Sequence, residues 1–126
     1  NIEKNLINKS LKKKIPIIGI CRGAQLLNIF FKGKISKIDG HMRTRHNIFL
    51  NKNKIIKKRV LKVNSFHSYG ILPKEISKKF KILATDKDKN IEMYISNYNK
   101  IIGVMWHPER EKNLINLYKL INYFKK

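Results

Sequence analysis

The one cysteine of the chain, Cys21, lies in Gly19-Ile20-Cys21-Arg22-Gly23, between an apolar run and a helical pattern. A thiol at such a corner can attack a carbonyl carbon once a base takes its proton. Gly-x-Cys-x-Gly parallels the Gly-x-Ser-x-Gly elbow, in which small neighbours allow a strained strand-to-helix turn that pushes the nucleophile outward. The helix start that follows is expected to lower the thiol pKa and to offer backbone N–H groups to a developing oxyanion. Four histidines are available as the base: His41, His46, His67 and His107. His107 ends the apolar run Ile101-Ile102-Gly103-Val104-Met105-Trp106, at the carboxyl end of a strand, where α/β sheets place their ligands. Glu109, two residues on, is placed to accept the second ring N–H and hold the tautomer. Taken singly, these signals are weak. A lone cysteine is more often an inert buried residue than a nucleophile, and His107-Pro108-Glu109 reads equally as a plain strand-end turn. His41 and His46 read as loop residues without the paired spacing of metal ligands, so no metal is assigned.

The elements that must position these groups follow from periodicity. Residues 2–13 carry Ile2, Leu6 and Leu11 at near-helical spacing, and Pro16 closes that helix. Residues 15–20 are apolar without alternation, which predicts a strand covered on both faces. Ala24, Leu26, Leu27, Phe30 and Phe31 predict a helix ending near Gly33. Short strands are predicted at 46–50 and 60–63, with a loop at 65–70. Phe80, Ile82 and Ala84 alternate up to Asp86, and 91–95 alternates after a polar run, which predicts a hairpin. A last strand at 101–106 and a helix over 111–124, with Leu114, Leu117, Leu120, Ile121 and Phe124 on one face, complete the pattern. The class is α/β, in one domain spanning 1–126.

Composition narrows the function classes. The formal charge of +21 comes from Lys scattered along the whole chain, whereas Arg occurs only at 22, 43, 45, 59 and 110. No nucleic-acid motif accompanies it, so the surface reads as solvated and basic, with some attraction for an anionic substrate. A single cysteine excludes an internal disulfide. No apolar run approaches the roughly 20 residues that span a bilayer, and no leader pattern opens the chain, so a cytoplasmic location is expected.

Ile18-Gly19-Ile20-Cys21-Arg22-Gly23-Ala24-Gln25-Leu26-Leu27-Asn28, Val63-Asn64-Ser65-Phe66-His67, Ile91-Glu92 and Gly103-Val104-Met105-Trp106-His107-Pro108-Glu109 resemble, in order, the motifs of class I glutamine amidotransferase-like proteins of the γ-glutamyl hydrolase branch. The resemblance implies a doubly wound, flavodoxin-like sheet and a triad of Cys21, His107 and Glu109 cleaving a γ-glutamyl amide through a glutamyl thioester. It also implies an oxyanion donor in the Arg22 N–H and a γ-glutamyl pocket lined by Gln25, Ser65, Phe66 and His67, with no cofactor. His67 has the alternative role of tying down its own loop. The family's upstream strands, and the glycine-containing loop that completes its oxyanion hole, are not in this sequence, so a chain lacking its N-terminal portion is expected. The Asn64-Ser65-Phe66-His67 and Trp106-His107-Pro108-Glu109-Arg110 segments are further similar to bacterial enzymes of capsule phosphoramidate synthesis, which act on a nucleotide-linked γ-glutamyl substrate. Three alternatives stay open: a glutaminase subunit serving a synthase partner, an inactive remnant, and a basic binding protein. Homo-oligomerisation is likewise open.

Overall fold

The computed structural model describes residues 1–125. Helix α1 (Ile2–Lys12) begins where the Asn1 side chain accepts the Lys4 N–H at 2.8 Å and Glu3 meets the positive end of the helix. Its inward face is Ile7 and Leu11, while Ile2 and Leu6 point outward at 85% and 64% exposure, so the expected stripe is corrected. Leu11 belongs to both stripes.

Strand β1 (Ile17–Ile20) runs directly into helix α2 (Arg22–Phe30). There follow β2 (Ser36–Lys37), β3 (Thr44–Leu50), β4 (Val60–Ser65), β5 (Tyr69–Gly70), β6 (Lys81–Thr85), β7 (Ile91–Ser96), β8 (Ile101–Val104) and helix α3 (Ile115–Asn122). Six strands form one sheet in the order β1-β8-β7-β6-β3-β4, and β2 pairs with β5 in a small separate ladder. Helices lie on both faces, as the α/β class requires, but strand polarity is mixed. Among the described residues only β1 and β8 run parallel, with Ile20 opposite Val104, and the other neighbours are antiparallel.

Alternation along the strands divides the core between the two faces. Ile101, Met105 and Tyr94 pack with Ala24 and Leu27 of α2, whereas Ile102, Val104 and Trp106 pack with Leu120 of α3. Gly103 is a notch in this arrangement. A Cβ there would lie 2.2 Å from the Tyr94 ring, which crosses the notch so that its hydroxyl donates to the Ala24 carbonyl at 2.6 Å. That bond hangs α2, the helix that follows Cys21, from the sheet.

Several boundaries differ from those predicted, two of them by several residues. Ser65 ends β4 and Tyr69–Gly70 forms β5, so the segment 65–70 is not one loop; its ends are drawn into ladders by neighbours distant in sequence. The last helix starts at Ile115, because Pro108–Arg110 forms a 3₁₀ turn and the Asn113 side chain caps the Ile115 N–H at 3.0 Å.

Candidate active site

Cys21 occupies the corner between β1 and α2 with φ 53° and ψ −106°. A non-glycine residue held there costs on the order of 1–3 kcal/mol, which surrounding structure must offset. The Cys21 N–H donates to the Val104 carbonyl at 2.8 Å, continuing the β1–β8 ladder by one residue. Gly19 is required for the approach of α2: a Cβ on it would meet Leu27 Cδ1 at 2.6 Å and the Ala24 nitrogen at 2.9 Å. Gly23 faces open space instead, so of the two glycines only Gly19 is sterically demanded.

The parallel register puts the carboxyl ends of β1 and β8 side by side, and His107 follows β8 by three residues. Its ring Nδ1 donates to Glu109 Oε2 at 2.7 Å, which assigns the proton to Nδ1 and leaves Nε2 as the basic atom. The backbone of His107 is clamped by Asn64 on β4, whose Oδ1 accepts the His107 N–H at 2.9 Å and whose Nδ2 donates to the His107 carbonyl at 2.8 Å. Asn64 stands within one of the motifs, but its role emerges only in the fold. Its type, a polar amide closing an apolar strand, was the one signal that a buried partner awaited it. Among the described residues no hydrogen bond joins Cys21 to His107. Burial pushes the Cys21 thiol up, against the opposing effects of the Arg22 N–H and the Arg110 guanidinium, so the expected lowering by the helix start is outweighed.

The other expected site residues separate into groups. The Arg22 side chain is 79% exposed and reaches Glu3 at 3.8 Å, so only its backbone N–H faces the thiol. Gln25 donates to the Tyr69 carbonyl at 3.0 Å, joining α2 to β5. Phe66 is half-exposed and stands beside the His107 ring, with the Arg110 guanidinium 4.8 Å above its centroid. Ser65 does not line an open pocket: it is fully buried, and its hydroxyl donates to the His41 carbonyl at 2.7 Å. His67 donates through Nδ1 to the Tyr69 carbonyl at 2.8 Å, and burial drives its pKa down to about 4, so the ring is neutral and ties its own loop.

Sequence reading missed a second polar cluster behind this loop. His41 and His46 are not idle loop residues: His46 lies on β3, and both rings approach Glu92 of β7. His41 donates from Nδ1 to the Asp39 carbonyl at 2.8 Å and from Nε2 to Asp86 Oδ2 at 2.7 Å. The Asp86 and Glu92 carboxylates raise its pKa to about 10, while His41 and the surrounding N–H donors hold Asp86 near 2 against the upward pull of burial. Burial pushes the Glu92 carboxyl up.

An α/β sheet with a strained cysteine elbow and a histidine–glutamate pair at the neighbouring strand end defines the class I glutamine amidotransferase type of protein. The chain belongs to the Peptidase C26 family, whose model matches residues 1–109. It is 38% identical over 122 residues to a γ-glutamyl-CDP-amidate hydrolase of Campylobacter jejuni, covering 97% of this chain and 56% of that protein. It is 29% identical over 107 residues to a glutamine-hydrolysing GMP synthase component of Methanocaldococcus jannaschii, covering 84% and 57%. The fold matches a solved glutamine amidotransferase of Thermotoga maritima with a TM-score of 0.76 at 21% identity, over 98% of this chain and 53% of that one. The chain thus spans little more than half the length of these relatives. Among the described residues no helix is long and apolar enough to cross a membrane.

Proposed function

We propose that this chain carries the thiol half of a γ-glutamyl amide hydrolase, with Cys21, His107 and Glu109 as its triad. The carrying observation is the corner at Cys21, set by the β1–β8 register beside a histidine whose Nδ1 is already held by a carboxylate. In the reaction Cys21 Sγ attacks the γ-carbonyl carbon and its proton passes to His107 Nε2. The tetrahedral oxyanion forms at the Arg22 N–H, and collapse expels the amine, which takes the proton from His107. Water, deprotonated by His107, then attacks the thioester and releases glutamate. Glu109 holds the imidazole tautomer and stabilises the imidazolium.

The similarity to a γ-glutamyl-CDP-amidate hydrolase supports a phosphate-bearing leaving group. Beside Trp106 and Pro108 runs a groove lined by Lys57, Lys58, Lys62, Arg110, Lys112 and Lys119, which suits an anion adjoining the site. The test is glutamate release from γ-glutamyl amides with anionic and neutral leaving groups, using the product of the complete natural reading frame. Release that prefers the anionic amides and is lost in Cys21→Ser is expected. Equal rates for parent and Cys21→Ser overturn the triad.

The similarity to GMP synthase components favours one second reading, a glutaminase that passes ammonia to a synthase. It predicts glutamine hydrolysis that rises only when the partner is added.

A further inference from the structure

The geometry points to a divalent transition-metal site, of the zinc type, formed by His41 Nε2, His46 Nε2 and the Glu92 carboxylate. The topology makes room for it. Strand β3 pairs with β6 only at Phe49 and Leu50, so its first half runs past the end of β6 at Thr85. His46 stands on that unpaired half of β3, Glu92 faces it from the irregularity of the β6–β7 ladder, between the Thr85–Ile91 and Ala84–Met93 pairs, and His41 comes from the preceding loop. The three ligand atoms lie within 4.8 Å of one another.

The distances separate a metal from a hydrogen bond. Glu92 Oε2 is 3.4 Å from His41 Nε2 and 3.6 Å from His46 Nε2. A hydrogen bond to a ring nitrogen needs about 2.7–3.2 Å, so both gaps are too long. Ligands held at about 2.0–2.1 Å in a tetrahedron around zinc stand about 3.4 Å apart, which both gaps from Glu92 to the histidine nitrogens match. The polar groups are also orphaned. Glu92 is 1% exposed, and neither of its carboxylate oxygens has a hydrogen-bond partner; His46 Nε2 has none either. The nearest cation, the His41 ring at 3.4 Å, spends its Nε2 hydrogen on Asp86 and so leaves the Glu92 carboxylate without a hydrogen bond.

The outer contacts match those of metal-bound histidines. His41 and His46 each direct Nδ1 at a backbone carbonyl, of Asp39 at 2.8 Å and of Asn47 at 3.1 Å, which fixes both rings with Nε2 turned inward. Binding replaces the Nε2 hydrogen of His41, which leaves to solvent, by the metal–nitrogen bond. Asp86, released from that hydrogen, keeps its bonds from the Asp88 and Asn90 N–H groups and the Asn90 amide. A groove past Gly40, Thr44 and Asp88 reaches the cluster from solvent.

The test uses the complete natural chain carrying Cys21→Ser, so that the thiol takes no part, stripped with a chelator and titrated with Co²⁺ and Zn²⁺. One equivalent of Co²⁺ with a tetrahedral visible band, and a higher Tm with Zn²⁺, are expected. His46→Ala, at a partly exposed position that tolerates truncation, is expected to weaken binding more than about 100-fold, beyond what loss of an outer contact does. Glu92→Gln is expected to do the same while keeping the side-chain volume. No band and no thermal shift in the Cys21→Ser protein overturn the site, as does binding that survives His46→Ala. Metal bound by the parent but not by Cys21→Ser also overturns it, since the ion then sits on the thiol. None of these readouts depends on the hydrolase activity.

Discussion

Two histidine–carboxylate pairs of the same length serve opposite ends in this molecule. His107 meets Glu109 at 2.7 Å near the surface, where the carboxylate side chain is 43% exposed, and His41 meets Asp86 at 2.7 Å with both side chains at least 95% buried. What separates them is the nitrogen left over. Glu109 takes Nδ1, and among the described residues Nε2 has no hydrogen bond, whereas Asp39 and Asp86 take both nitrogens of His41 and hold it as an imidazolium without metal. A short contact to a carboxylate therefore identifies neither a catalytic base nor a structural ion; the fate of the other nitrogen does.

The contrast breaks most visibly at Asp86. In chelator-treated protein Asp86→Asn leaves a buried imidazolium short of its main partner, and urea unfolding is expected to show a loss of about 3–5 kcal/mol. Glu109→Gln should cost less than about 1 kcal/mol in stability at its exposed position, yet lower glutamate release about 10²-fold. A stability loss at Glu109 as large as that at Asp86 would erase the distinction.

A pH series on metal-free protein sharpens it. His67, neutral in the fold and held at about 4, refuses a proton that the unfolded chain takes below about 6.5, so its contribution is lost as pH falls toward 4. His41 behaves oppositely: its raised pKa of about 10 gives stability that is complete below about 6.5 and is lost as pH rises toward 10. These two rings, 5.0 Å apart, place the Tm maximum between those limbs, and Asp86→Asn should flatten the alkaline one. The smallest effect is expected at the half-exposed Arg45–Glu111 pair, where Arg45→Ala should change the unfolding free energy by less than about 1 kcal/mol.

What the sequence made legible was local. The elbow at Cys21, the hairpin of β6 and β7 and the strand before His107 are each written in contiguous residues, and the motif order carried the family. The cluster of His41, His46 and Glu92 was not legible, because it depends on where β6 stops pairing with β3, a register decided by contacts between distant segments. The same holds for Ser65, whose motif suggested a pocket wall but whose hydroxyl is turned to the His41 carbonyl by the β3–β4 pairing. The choice between Ile2 and Ile7 on α1 was likewise hidden, since one stripe can be turned inward as well as its neighbour until the helix is docked.

The amide of Asn64 has a mechanical consequence. Strand β4 is the last in the sheet order and β8 the second, yet Asn64 on β4 grips the backbone of His107 just beyond β8. The sheet must therefore bend round until its far margin touches the end of a strand near its start, and one side chain fastens the hoop. The position of His107 becomes a gauge of that curvature: any change that flattens the sheet, however remote from the thiol, pulls the imidazole with it.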